Sequence, residues 1–348
     1  MPLSIVLASG RVPFGYGGAE MLRESLQEQL VARGHRVDSI DLPFAWHNPD
    51  AVVRSYTLAR LMDLTWGEYG KVDLVIPLKF PAHVIEHPNK TVWLIQQFRQ
   101  VYDLFGSKHS PYGPNSKDDV HLCQTVRAMD TATLSEANAL YTISKNVAQR
   151  LESFNGLSAR AVYPPPPLDG QFYSGDHGDY VFTVARLDRL KRTELLIEAI
   201  AKTRSEVRCV IAGRGPEDAA LRRLVARYGL VNRVRFAGRV DDKELLELYA
   251  GALAVYYGPV DEDYGFVTVE AMKSKRPVLT WDDSGGVLEF VSDEITGFAV
   301  DPSQPSRMAE RIDQLYASRA DAKRMGEAGY DWVKGINWDS ALKTLVGG

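Results

Sequence analysis

Apolar and polar positions along this chain follow two periods in alternation. Residues 3–8, L-S-I-V-L-A, form an apolar run of strand length, and beyond a glycine-rich stretch Leu22, Leu26 and Leu30 recur at helical spacing. Gly34 ends that helix and residues 37–42 resume as a strand. The same pattern predicts strands over 73–76, 91–95 and 140–143, and helices over 52–64, 120–138 and 147–154. Residues 163–167, Y-P-P-P-P, fit neither a helix nor a central strand, because each proline removes a donor and fixes φ. The alternation then restarts, with strands over 180–184, 207–212, 234–237 and 253–257 and a last one, V-L-T-W, after Pro277. Helices are predicted between them over 195–202, 217–228, 245–249 and 267–274. Repeated β–α units imply a mainly parallel α/β sheet covered by helices on both faces, here built twice. Ligands of such sheets lie beyond the carboxyl ends of the strands, so two such domains facing across a cleft would share a site there.

The bulk numbers narrow the class without naming it. A chain of 348 residues, 45% hydrophobic and 25% charged, suffices for two domains with separate cores. A net charge of −4 and a pI near 6.0 argue against nucleic acid as partner. Cys123 and Cys209 make neither a disulfide framework nor a zinc spacing, and His109 and His121 lack metal-ligand partners at useful spacing. The first residues lack the charged and apolar regions of a signal peptide, and no run approaches the roughly 18 apolar residues of a membrane span. The expected location is cytoplasmic, with any membrane contact peripheral and at its inner face. That setting leaves the glycosylation sequon at Asn89 without meaning.

The densest chemistry lies at 262–289, E-D-Y-G-F-V-T-V-E-A-M-K-S-K-R-P-V-L-T-W-D-D-S-G-G-V-L-E. Glu262 falls in a polar loop, and Gly265, Phe266 and Val267 open a short helix whose free N–H groups and dipole suit an anion. Glu270 lies on that helix. Carboxylates suit sugar and ribose hydroxyls while the helix end suits phosphate, so the pair suggests a nucleotide-sugar site. Gly17 and Gly18, in G-Y-G-G-A-E after the first strand, allow backbone to approach a phosphate closely; Glu20 stands where a dinucleotide fingerprint would need glycine. Arg186 and Lys191, in V-A-R-L-D-R-L-K-R-T, follow the strand that opens the second domain, where cations can neutralise a departing diphosphate. Arg189 and Arg192 in the same run read as surface.

These features together resemble the family-4 retaining glycosyltransferases of the GT-B fold. The resemblance rests on E-x7-E from Glu262 to Glu270, the E-A-M after it, S-G-G-x-x-E ending at Glu289, a G-G-x-E loop, and R-x4-K. It implies two Rossmann-like domains: 1–163 on the acceptor side, a linker at 164–173, a donor domain at 174–333, and a terminal helix at 334–348 crossing back to the first domain. The activity it implies is metal-independent transfer of a hexosyl group, with retention, from a UDP- or GDP-sugar to a hydroxyl of a saccharide or lipid-linked acceptor in polysaccharide or glycoconjugate synthesis. No cofactor is called for. On the donor side the resemblance assigns Arg186, Lys191 and Glu262 to catalysis; Gly17, Gly18, Val240, Gly265, Phe266, Val267 and Glu270 hold the donor, Val240 meeting the base through its main chain.

In the first domain, W-L-I-Q-Q-F-R-Q-V-Y-D-L resembles a family segment whose histidine faces the sugar, and Gln96 stands at that place. Gln96, Arg99 and Tyr102 are thus the acceptor- and sugar-side candidates, with an amide that hydrogen-bonds but cannot titrate. The polar segment 106–121 beside them is a candidate acceptor or mobile loop. Asp261 and Asp263 form a D-x-D with Glu262, the metal motif of the other glycosyltransferase fold, but its late position makes them loop residues. A nucleotide-sugar epimerase and a non-catalytic nucleotide-sugar-binding protein are the rival readings; product analysis with donor alone, or binding without turnover, distinguishes them.

Overall fold

The computed structural model describes residues 2–46 and 48–347. The chain divides into two compact units, Met1–Pro167 with Trp338–Gly348, and Leu168–Asn337. The breaks fall four residues after the expected 163/164 boundary and before Trp338 rather than at 334.

In the first unit the strands are β1 (Ser4–Arg11), β2 (Arg36–Pro43), a small hairpin of β3 (Trp66–Gly67) and β4 (Gly70–Lys71), β5 (Leu74–Lys79), β6 (Thr91–Leu94), β7 (Ala139–Thr142) and β8 (Arg160–Ala161). They pair in parallel as β2-β1-β5 and β6-β7-β8, with β3 and β4 antiparallel. Hydrogen bonds from Val75 N to Asn89 O (3.1 Å) and from Ile95 N to Leu78 O (2.8 Å) stitch the flanks of β5 and β6. The helix expected over 52–64 is Pro49–Arg60. Asn48 starts it earlier, accepting from Asp50 N, with Pro49 pre-set for the first turn.

One sequence assignment fails here. Tyr102 is 2% exposed and sits in the core of the first unit. Its hydroxyl donates to buried Asp130 (2.7 Å), which also meets His83 Nε2 (2.7 Å), while Asn155 donates to the Tyr102 oxygen (3.1 Å). The tyrosine therefore positions a buried polar network rather than lining a sugar pocket. An aromatic ring with a polar tip reads alike in both roles.

The second unit holds β9 (Tyr180–Val184), β10 (Arg208–Ala212), β11 (Val234–Gly238), β12 (Ala254–Tyr256), β13 (Val278–Trp281) and β14 (Gly297–Val300), all parallel in the order β11-β10-β9-β12-β13-β14. The chain winds outward from β9 to β11, then returns to β12 on the other side of β9. The order thus reverses between β9 and β12, the place where ligands of open α/β sheets bind. The sixth strand, β14, and the helices Pro305–Ala317 and Arg319–Val333 add to the expected set. Among the described residues no helix is long and apolar enough to cross a membrane.

The helix Trp338–Val346 belongs to the first unit, with Trp338, Ala341, Leu342 and Leu345 buried and Asp339 paired with Arg33. Burial of one tryptophan and two leucines is worth on the order of 5 kcal/mol. Truncation before Trp338 is therefore expected to lower the melting temperature by several degrees. An unchanged melting curve would contradict that packing.

Candidate functional site

The site is built on the loops that follow the adjacent strands β9 and β12. Two glycines let the neighbouring chain fit beneath the first loop. A Cβ on Gly213 would lie 1.9 Å from Ala185 O, and one on Gly215 would lie 2.2 Å from Leu187 O. At the far end of this loop Arg192 departs from its expected surface role. It is 8% exposed, has a left-handed φ of 49°, and donates to Gly258 O (2.8 Å), Pro259 O (2.6 Å) and both oxygens of Asp283 (2.8 and 2.6 Å). The guanidinium fork thereby joins the loops after β9, β12 and β13, a geometry lysine could not supply. Arg189, by contrast, is exposed and pairs with Glu217.

Lys191 lies just before this clamp. Its ammonium pairs with Glu262 and contacts Tyr257 Oη at 3.0 Å. Burial opposes the lysine charge, but Glu262 and Tyr257 outweigh it and hold the pKa above the ordinary lysine value. An ammonium has three N–H groups, so two partners leave one donor for a further acceptor. Glu262 is fixed through its backbone: its N–H donates to Ser284 O (3.2 Å) and its carbonyl accepts from Gly286 N (2.7 Å). A Cβ on Gly286 would come 2.5 Å from Asp263 O, so the S-G-G sequence serves to bring the two loops together.

Gly265, at a left-handed φ of 83°, turns the chain into the helix Phe266–Lys273. A Cβ there would meet the Tyr257 ring at 2.8 Å. Thr268 N returns to Gly265 O (3.0 Å), while helix geometry gives the amides of Phe266 and Val267 no acceptor within the helix. One turn on, Glu270 is 8% exposed and accepts from the Tyr249 hydroxyl at 2.5 Å. Burial raises its pKa to about 7, against the lowering effect of that hydrogen bond. Arg186, 72% exposed, lies 3.9 Å from Asp188, and Val240 lies half-buried on the loop after β11.

The first unit carries its candidates separately. Gly17 caps the helix Gly18–Ala32, its amide donating to Glu20 Oε2 (2.9 Å), and Lys79 stands 3.7 Å from the other Glu20 oxygen. The lysine, at the end of β5, adds a cation beside the glycine turn that no local motif signals. Gln96 is half-buried, and Arg99 forms an ion pair with Asp103, its Nε donating at 2.9 Å. The neighbouring Gln97 escaped the sequence reading. It is 1% exposed, and among the described residues neither amide atom has a hydrogen-bond partner. Two glutamines closing an apolar strand were its only signal.

Residues 172–332, most of the second unit, match the family described as Glycosyl transferases group 1. An uncharacterized glycosyltransferase of Methanocaldococcus jannaschii is 24% identical, over 95% of this chain and 93% of its own. The D-inositol 3-phosphate glycosyltransferase of Nocardia farcinica is 25% identical, over 73% of this chain and 68% of its own. The crystal structure of HepE from Anabaena in complex with UDP and glucose superposes with a TM-score of 0.70 at 18% identity, covering 99% of this chain and all (100%) of the other. The architecture is therefore that of GT-B proteins, with two Rossmann-like domains.

Proposed function

We propose that this chain is a retaining glycosyltransferase that binds a nucleoside-diphosphate sugar at the strand-order reversal of its second unit. The observation that carries this reading is the Lys191–Glu262 pair, which ties the loops after β9 and β12 just before the helix that opens at Phe266. A UDP- or GDP-sugar would place its diphosphate against the amides of Phe266 and Val267, with Arg186 and the third N–H of Lys191 as counter-charges. Glu262 would accept from the sugar hydroxyls and Glu270 from the ribose hydroxyls, while the Val240 main chain meets the base.

In this mechanism the carbon–oxygen bond to the diphosphate breaks first, through an oxocarbenium-like ion pair eased by the amides and cations. An acceptor hydroxyl then attacks from the face the diphosphate leaves, giving its proton to a phosphate oxygen. The configuration is retained without a protein nucleophile. The acceptor is a saccharide or lipid-linked hydroxyl in polysaccharide or glycoconjugate synthesis at the cytoplasmic side of a membrane. The relatives' names and the group 1 domain support the reaction class.

Because organic cations and amides take the place of a metal, transfer is expected to proceed at an unchanged rate in EDTA. The product should keep the anomeric configuration of the donor when followed by NMR. Abolition by EDTA with rescue by manganese would favour the Asp261/Asp263 motif instead, and an inverted product would reject the ion-pair route.

A further inference from the structure

A polar cavity in the same unit lies away from these loops. It is about 570 Å³ in volume and is walled by Ser174, Gly175 and His177, with Lys275, Arg319 and Lys323 around it and the acids Asp176 and Glu327 beside them. Residues 174–178 lead into β9 and Lys275 precedes β13, so the cavity opens at the amino ends of the strands, opposite Lys191 and Glu262.

The wall hides a buried cation. Arg276 is 0% exposed, yet its guanidinium donates only to uncharged oxygens: Ser274 O (3.1 Å), Ala252 O (3.1 Å), Ser174 Oγ (2.8 Å) and Gly175 O (2.6 Å). Among the described residues no carboxylate comes within ion-pair distance of it. Asp176, on the same wall, attracts this cation without pairing directly with it. A buried cation with no direct ion pair is costly, and the hydrogen bonds to Ser174 and Gly175 aim this one at the cavity wall. His177, on the same wall, has a buried Nε2 with no hydrogen-bond partner among the described residues. Burial, and then Arg276, push the His177 pKa down to about 4, so its ring is neutral near pH 7.

The surroundings are fixed in place. Gly175 N and Gly178 N donate to Ala250 O (3.0 Å) and Gly251 O (3.1 Å). Lys275 has a left-handed φ of 55°, its ammonium 5.2 Å from the Tyr330 ring centroid. A Cβ on Gly326 would stand 2.0 Å from Lys275 O, so the helix Arg319–Val333 is seated directly on that turn. Arg319 stacks on Tyr316 and donates to the carbonyls of Leu315 and Tyr316.

Four cations (Arg276, Lys275, Arg319, Lys323) less two acids (Asp176, Glu327) leave two positive charges. That is the charge of one phosphate monoester dianion. We propose that this cavity is a phosphate-binding site, separate from the donor site, in which Lys275, Arg319, Lys323 and the His177 ring hold the anion above buried Arg276. The same group could come from a soluble phosphate or a lipid headgroup.

The test uses the full chain with inorganic phosphate at constant ionic strength, following thermal stability and the His177 ring by NMR. Phosphate is expected to stabilise the wild type saturably and to raise the His177 pKa. The double variant Lys275→Asn/Lys323→Ala, in which asparagine tolerates the left-handed backbone, should weaken this at least tenfold. Arg186→Ala, on the loop after β9, should leave the response intact. No saturable response in the wild type, or an equal one in the double variant, overturns the proposal. Sedimentation with vesicles containing phosphatidic acid but not with phosphatidylcholine alone, lost in the double variant, assigns the phosphate to a lipid headgroup. Saturation by inorganic phosphate without such sedimentation assigns it to a soluble ligand.

Discussion

Glu262→Gln and Lys191→Ala are each expected to lower sugar transfer by two or more decades, on the order of 3 kcal/mol in the barrier. The side chains form one unit, since the ammonium bridges Glu262 and the Tyr257 hydroxyl. Removing the carboxylate leaves the lysine largely buried without its main counter-charge. Removing the lysine takes away the cation that would face the leaving diphosphate. Because the residues act together, the double variant should lose little more than either single one. Circular dichroism and melting of each variant separate this from misfolding. Near wild-type rates in a folded variant would remove that residue from the mechanism.

Glu270→Gln is expected to separate stability from donor binding. The folded pKa of Glu270, about 7, lies above the ordinary 4.5, so folding favours the protonated acid. Below pH 4.5 both states are protonated and nothing is lost. As pH rises from 4.5 through 7 the unfolded chain ionises first, and the folded state loses up to about 3 kcal/mol relative to acid conditions. The glutamine carbonyl can still accept from Tyr249 and carries no charge. The variant should therefore melt higher than wild type at pH 8 and equally at pH 4. In the proposed donor mode the ribose hydroxyls donate to the ionised carboxylate, so wild-type donor affinity should fall as pH drops below 7. The variant should bind the donor at least tenfold more weakly at pH 8, with no pH dependence in that range. A variant less stable than wild type at pH 8 would show that burial does not strain this group.

Much of the second unit was legible because its signals are local. Alternating apolar periods gave five of its six strands, and glycines marked turns and close approaches: Gly265 turns at positive φ, and Gly286 lies against the Asp263 backbone. What the sequence concealed were side chains whose roles depend on distant partners. Arg192 looked like one more charge in R-L-D-R-L-K-R, yet its fork is closed by Asp283, ninety-one positions away. Tyr102 matched a motif, but its hydroxyl is directed inward to Asp130. Glu20 completes G-G-x-E, and only folding sets Lys79 beside it. Arg276 sits between Lys275 and Pro277 with nothing local to show that it is buried among neutral oxygens.

The most direct measurement is calorimetric titration of the wild type and Glu270→Gln with UDP-, GDP- and ADP-sugars. At least one of these donors is predicted to bind the wild type saturably at pH 8, with affinity lost in the variant. If none binds, or if the two proteins bind alike, the second unit does not grip an activated sugar through Glu270 and the account fails.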